Sequence, residues 1–293
     1  MPMKSIVSYP DRGRWGKSNW RGNTTGHIIV DLIEQFRPRL FVDVCEGSGT
    51  SGDVCKEMGV PYVGLDLHKG NDFTRDFVLS QLPYPADFCF SHIPYWNMVT
   101  YSGEVWGKEA HSSDLSRSPS YEEFLEKSNV MLLNQREAVR NGKYYATLVG
   151  DLRKNGVYHS LQADFIKMMP SNELSSVVIK EQHNMMSNRV SYSGNFIPIV
   201  HEYLLIWKRS SQSLFMCTWE KAKEIKRQIA STWRAAIRIA LMKLDGKGTL
   251  KEIYEEVEKI AKDLIEKNQH WKAKIRQQLQ IYFTSVERGV WSI

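Results

Sequence analysis

No stretch of the chain approaches the ~20 consecutive apolar residues that a membrane span requires, although 42% of the residues are hydrophobic. The N-terminus has no basic-then-apolar pattern, so export is not expected. Cysteine is scarce. The four residues Cys45, Cys55, Cys89 and Cys217 are scattered, with no C-x-x-C pair. This argues against a zinc or disulfide framework and for buried thiols in a reducing cytoplasm. No metal site is expected. A length of 293 residues accommodates one full α/β domain and a small second one. An excess of either charge is missing from the first two thirds. Of 39 lysines and arginines 17 lie from Arg209 onward, against 10 of the 33 acids, so the net charge of +6 belongs to the last third. A basic appendage on a near-neutral body suits nucleic acid; a solvated lysine-rich helical surface would give the same count.

The most informative stretch is Leu40-Phe41-Val42-Asp43-Val44-Cys45-Glu46-Gly47-Ser48-Gly49-Thr50. An apolar run ends in an acid, and two glycines flank a serine ahead of a predicted helix from Ser51 to Met58. A buried parallel strand has this pattern where its carboxyl end turns sharply at a ligand. Gly47 and Gly49 let the backbone approach a bound molecule with no Cβ in the way. A second apolar strand, Tyr62-Val63-Gly64-Leu65-Asp66, ends in an acid 17 residues after Gly49. In nucleotide-binding folds an acid so placed accepts hydrogen bonds from ribose hydroxyls. A third strand, Asp87-Phe88-Cys89-Phe90-Ser91-His92, runs into Ile93-Pro94-Tyr95-Trp96.

These three pieces, in this order, resemble the S-adenosylmethionine-dependent DNA amino-methyltransferases. That family has an F-x-G-x-G cofactor loop, an acid ending its second strand and a (D/N/S)-P-P-Y tetrapeptide ending its fourth. The resemblance covers roughly residues 13–208. It implies a Rossmann-like seven-stranded α/β sheet over 1–208, with S-adenosylmethionine at the carboxyl ends of the first two strands. Asp43, Glu46, Gly47, Gly49 and Asp66 are the implied cofactor residues. The family segment ahead of the cofactor loop holds the methionine carboxylate, a role that falls here to Asn23, Thr24 and Thr25. Free N–H groups at a helix start suit that anion, and Thr24 or Thr25 serves equally as a helix cap. An acid after the third family strand contacts the adenine amine, which points to Asp72, although Asn71-Asp72 also makes an ordinary turn.

The tetrapeptide here is His92-Ile93-Pro94-Tyr95, a departure at its first two positions. In the family the first side chain and a neighbouring carbonyl accept the amine's protons, and the aromatic fourth residue stacks on a flipped base. The catalytic assignment is therefore His92, Pro94 and Tyr95. A neutral histidine can accept one hydrogen bond. Ser91 is the second candidate, the register of Pro94-Tyr95 favouring His92. Trp96 is assigned to the DNA. The implied reaction is methylation of adenine N6 in double-stranded DNA, by a cytoplasmic enzyme of bacterial or phage type, with a homodimer allowed. Cytosine N4 methylation, RNA base methylation and an inactive DNA-binding relative are the alternatives.

Elsewhere the pattern is coarser. Ile28, Ile29, Leu32, Ile33 and Phe36 give a helix stopped at Arg37-Pro38. Residues 97–118 form a long polar and aromatic loop, suited to lie over the target base. Ser120 and Glu123 open a helix as a capping box, and Asn141-Gly142 should close it. Tyr144 to Val149 and Ile197 to Trp207 are strand-like. After a linker at 209–219, helices from Trp219 onward and a closing strand predict a winged helix-turn-helix over 220–293. The exposed face of its third helix carries Lys272, Lys274, Arg276, Gln277 and Gln278, suited to phosphates and base edges. A partner-binding helical tail is the alternative.

Overall fold

The computed structural model describes residues 3–183, 195–211 and 233–293. Trp219 and most of the predicted linker fall outside them. The elements in chain order are β1 (Ile6–Ser8), α1 (Gly26–Phe36), β2 (Phe41–Asp43), α2 (Thr50–Met58), β3 (Tyr62–Gly64), β4 (Ala86–His92), α3 (Tyr121–Glu137), β5 (Val139–Val149), β6 (Leu152–Lys154) and β7 (Val157–His159). There follow α4 (Leu161–Met168), β8 (Leu174–Glu181), β9 (His201–Lys208), α5 (Trp233–Lys243), β10 (Lys247–Thr249), α6 (Leu250–Ile260), α7 (Lys262–Glu266), α8 (Trp271–Tyr282), β11 (Thr284–Glu287) and β12 (Val290–Ser292).

Seven strands form one sheet in the order β1-β8-β9-β5-β4-β2-β3, the α/β class expected. Neighbours run parallel except at β9, which is antiparallel to both β5 and β8. Because successive strand side chains point to opposite faces, the apolar runs split cleanly into two cores. Phe41, Phe88, Phe90, Ala146, Leu148, Leu204 and Ile206 pack under α1 and α2. Val42, Cys89, Tyr145, Val149, Leu205 and Trp207 pack under α3 and α4. Continuous apolar strands are what a sheet covered on both faces needs.

Helix α1 ends as the sequence predicts, at Arg37 in a left-handed conformation (φ 45°) whose N–H donates to the Ile33 carbonyl. Helix α3 ends earlier than predicted, at Glu137. Asn141-Gly142 lies instead within β5, where the Gly142 N–H donates to the Arg209 carbonyl at 2.8 Å. An ionic cluster wins over the local turn signal. The buried Glu137 carboxylate meets Arg136, Arg209 at 3.2 Å and Arg238 at 2.8 Å, and Arg136 also grips Glu173. The last predicted strand starts at His201 rather than Ile197.

Helices α5, α6 and α8 bury a separate core around Ile237, Leu241, Ile253, Val257, Ile275 and Leu279. It is closed by a three-stranded sheet, β10-β12-β11. Thr249 and Glu252 form the full capping box expected for α6. This unit joins the large sheet through α5: Arg238 reaches Glu137, and the Arg234 guanidinium donates to the Leu79 carbonyl.

Candidate active site

Strands β2, β3 and β4 are adjacent and parallel, so their carboxyl ends open on one rim. A solvent-connected cavity with about 910 Å³ of empty space lies there. Its walls include Asn23, Thr24, Asp43, Glu46, Gly47, Asp66, Asp72, His92 and Pro94. The structure thus gathers most of the predicted site residues from segments far apart in the chain. It leaves Thr25, Gly49 and Tyr95 outside the wall.

Gly47 sits at φ 51°, and a Cβ there would come within 3.0 Å of Trp20 Nε1. Its N–H donates to Asp66 Oδ2 at 2.8 Å, and the His68 N–H donates to Oδ1 at 3.1 Å. The His68 ring Nδ1 also lies 2.8 Å from Oδ1; a carboxylate offers about four acceptor positions, so Asp66 keeps capacity on Oδ2. Gly49, at φ 91°, serves as the N-cap of α2. Asp43 lines the cavity but shapes the loop, accepting from the Cys45 N–H at 2.9 Å and from the Ser51 hydroxyl. Burial, with Glu46 and Asp66 nearby, raises its pKa to about 7, while those two hydrogen bonds oppose the rise. Glu46 is paired with Lys69.

Beside this loop, Asn23 Oδ1 accepts from the Thr50 hydroxyl at 2.7 Å. The Thr24 hydroxyl is buried and has no partner. Thr25 performs the cap function alone: its hydroxyl accepts from the His27 N–H that starts α1. Asp72 follows a 3-10 turn at Leu67–Lys69, with no strand between β3 and β4 among the described residues. Its carboxylate accepts from Thr74 and from the Ser113 hydroxyl, tying it to the long loop.

That loop is folded over the cavity. Tyr101, Trp106, Ser113, Asp114 and Leu115 all line it. The buried Asp114 carboxylate accepts four hydrogen bonds, from the N–H and hydroxyl of both Ser102 and Ser116.

Tyr95, the last residue of the tetrapeptide, and Trp96, which follows it, depart from expectation. The Tyr95 ring rests against Gly150, where a Cβ would sit 2.7 Å from it, and its hydroxyl donates to Glu202 Oε1 at 2.6 Å. Its ring is therefore packed against Gly150, outside the cavity wall, rather than offered there for stacking. Trp96 is only 8% exposed; its indole N–H donates to the Ser118 carbonyl at 2.9 Å, so the predicted DNA contact is replaced by a core role. His92 lines the cavity, with Nε2 at 2.9 Å from Tyr95 Oη. Burial lowers its pKa below the ordinary 6.5, against the opposing pull of Glu202. The shift favours the neutral ring. Ser91 is fully buried among Gln135 and Thr147 and cannot take over.

Glu202 and Lys180 are the important residues that motif reading misses. An acid within the apolar strand β9 is the one signal available for Glu202. On α8, Lys272, Arg276 and Gln277 are exposed while Ile275 and Leu279 face the core, as the helical spacing predicts. Arg276 donates to the Tyr254 hydroxyl at 3.0 Å, and Lys274 to Gln277 at 2.9 Å.

No family model matches the chain, and no curated protein does. Solved structures do. A protein of Thermus thermophilus, described as a candidate DNA modification methylase complexed with S-adenosyl-L-methionine, shares 18% identity over 59% of this chain and 73% of its own, with a TM-score of 0.33. A SAM-dependent methyltransferase from Archaeoglobus fulgidus shares 13% over 63% and 92%, at 0.40. An rRNA methylase from Streptococcus thermophilus shares 10% over 63% and 96%, at 0.32. These are distant likenesses.

Proposed function

We propose that the chain is an S-adenosylmethionine-dependent methyltransferase acting on an exocyclic amino group of a nucleic-acid base, foremost adenine N6 in double-stranded DNA. The observation that carries this reading is the convergence of Gly47, Asp66 and His92, from three adjacent strand ends, on one cavity. The wall fits the cofactor in two further respects. Asp66 has acceptor capacity for ribose hydroxyls, and the buried Thr24 hydroxyl lacks the partner that a carboxylate would supply. When bound, S-adenosylmethionine supplies an electrophilic methyl group on a sulfonium.

The chain's task is to hold the amine. Its lone pair is delocalised into the base ring and must be drawn out of conjugation. Neutral His92 accepts one amine proton at its unprotonated ring nitrogen. Pro94 lacks an N–H, so no backbone donor competes there. Mass spectrometry of digested DNA from cells expressing the protein tests the reading, and N6-methyladenine is the expected product. N4-methylcytosine alone would move the target, a methyl mark in RNA alone would move the substrate, and unmodified nucleic acid would leave a binding protein.

Replacing Asp66 by alanine should weaken cofactor binding by ~1.5–3 kcal/mol, the range for hydrogen bonds to a charged group. Unchanged affinity by calorimetry would remove Asp66 from the site.

The order helix, strand, helix, short helix, helix, then a closing hairpin supports reading 233–293 as a winged helix with α8 turned to DNA. In the full-length protein, Lys272→Ala combined with Arg276→Ala should lower affinity for duplex DNA. It should also flatten the plot of log K against log salt by about two units, near 0.9 per phosphate contact. An unaltered slope would assign this face to a protein partner instead.

A further inference from the structure

Behind the cavity, three further side chains continue from His92 in a line. Lys180 Nζ from β8 lies 2.7 Å from Glu202 Oε2, and Tyr95 Oη lies 2.6 Å from Glu202 Oε1. His92 Nε2 lies 2.9 Å from the same phenolic oxygen, and 3.9 Å from Glu202. Lys180 and Glu202 are 8% and 5% exposed.

The direction of the line follows from its far end. Burial alone would raise the Glu202 pKa, but the Lys180 ammonium first, then the hydrogen bond from the Tyr95 hydroxyl, hold it below the usual carboxylate range. An ionised carboxylate has no proton to give, so Tyr95 must donate to it. The phenol's one proton is then committed, and its oxygen can only accept from His92. Nε2 therefore carries the hydrogen. A neutral imidazole has one N–H, which leaves the lone pair on Nδ1.

We propose that Glu202, anchored by Lys180, is a positioning residue that acts through Tyr95 to set the tautomer in which His92 offers Nδ1 as acceptor to the substrate amine. The role assigned to Nδ1 rests on the methyltransferase reading of the cavity; the tautomer itself does not. The motif's unusual histidine makes such a device necessary. A carboxylate accepts through either oxygen, whereas an imidazole accepts only through the nitrogen without a hydrogen.

The test uses Glu202→Gln in the full-length protein. The Lys180 ammonium can accept nothing, so it should hold the amide oxygen and turn the amide N–H toward Tyr95. Tyr95 then accepts on that side and its proton turns to His92 Nε2, moving the ring hydrogen to Nδ1. Proton–nitrogen correlation spectra of histidine-labelled protein, with the His92 signals assigned by their loss in His92→Ala, read the tautomer directly. The expected sequence is Nε2–H in the wild type, Nδ1–H in Glu202→Gln, and a return to Nε2–H in Lys180→Met/Glu202→Gln, where the amide is free to rotate. Methyl transfer should follow the same order, with kcat down at least tenfold in the single variant and recovering in the double, and cofactor affinity unchanged. A purely structural role predicts the double variant to be the worse.

An Nδ1–H wild type, an unswitched single variant or an unrestored double variant would each overturn the proposal. If the tautomers follow the expected order while the wild type methylates no base, the control of the tautomer by Glu202 is upheld, and the function assigned to the cavity falls together with the role of Nδ1.

Discussion

The His92→Ala protein is expected to bind S-adenosylmethionine as the wild type does and to lose on the order of 10²–10⁴-fold in kcat, the range for a lost proton-accepting partner. The two effects separate because Gly47 and Asp66, the residues assigned to the cofactor, lie in the loops that follow other strands, β2 and β3. No neighbour can compensate. Ser91 is committed to Gln135 and Thr147, and the Tyr95 hydroxyl to Glu202. The pH dependence has a definite sign. Protonation converts both ring nitrogens to donors, so activity must fall on acidification. Burial places the His92 pKa below the ordinary 6.5, so the rate should hold as pH passes down through that value and fall only in more acid solution. Pre-steady-state rates across the acid range check this, and a rate that rises on acidification would exclude His92 as the acceptor.

The second large effect is on stability. Glu137→Ala should cost about 3–5 kcal/mol, the range for breaking a buried ion pair from one side. It takes a carboxylate partner from Arg209 and Arg238, both nearly fully buried, and another from Arg136. Burial of the Glu137 carboxyl by itself would raise its pKa. Arg209, Arg238 and Arg136 reverse this and bring it to about 2, from an ordinary 4.5. A depressed folded-state pKa stabilises above the unfolded value and is lost as protons bind. The wild type should therefore carry the full contribution above about pH 4.5 and lose it toward pH 2, whereas the variant should lack it throughout. Denaturant unfolding at neutral and acid pH measures both. Equal stability of the two proteins at neutral pH would show that the cluster contributes nothing net.

How much of this was visible in sequence depends on how local each signal is. The loop at Gly47 and the acid at Asp66 are short-range features, set by strands that end in a turn, and they sit at the cavity as read. Thr24 was legible for the same reason, being tied to the start of α1, and Thr25 reduces to the helix cap that was always its alternative. Trp96 was misread because an aromatic residue after a catalytic motif gives no hint of its exposure. Its burial is decided by Tyr121 and His159, whose rings pack on it from α3 and β7. The end of α3 was misplaced because three arginines, two of them 72 and 101 residues away, fix Glu137. Glu202 and Lys180 were invisible together: only the adjacency of β8 and β9 opposes them, and β8 has no motif to announce it.

The loop over the cavity carries a consequence for how a target enters. Asp114 binds both serines that bracket its span, so this wall takes its shape when the chain folds. Fixing a backbone costs roughly 1–2 kcal/mol per residue in conformational entropy, and here the hydrogen bonds to Asp114 help to offset that cost before any nucleotide is present. Under the proposed function, a base that swings out of its helix would meet a finished surface, and its affinity would not be diminished by the disorder it would otherwise have to quench.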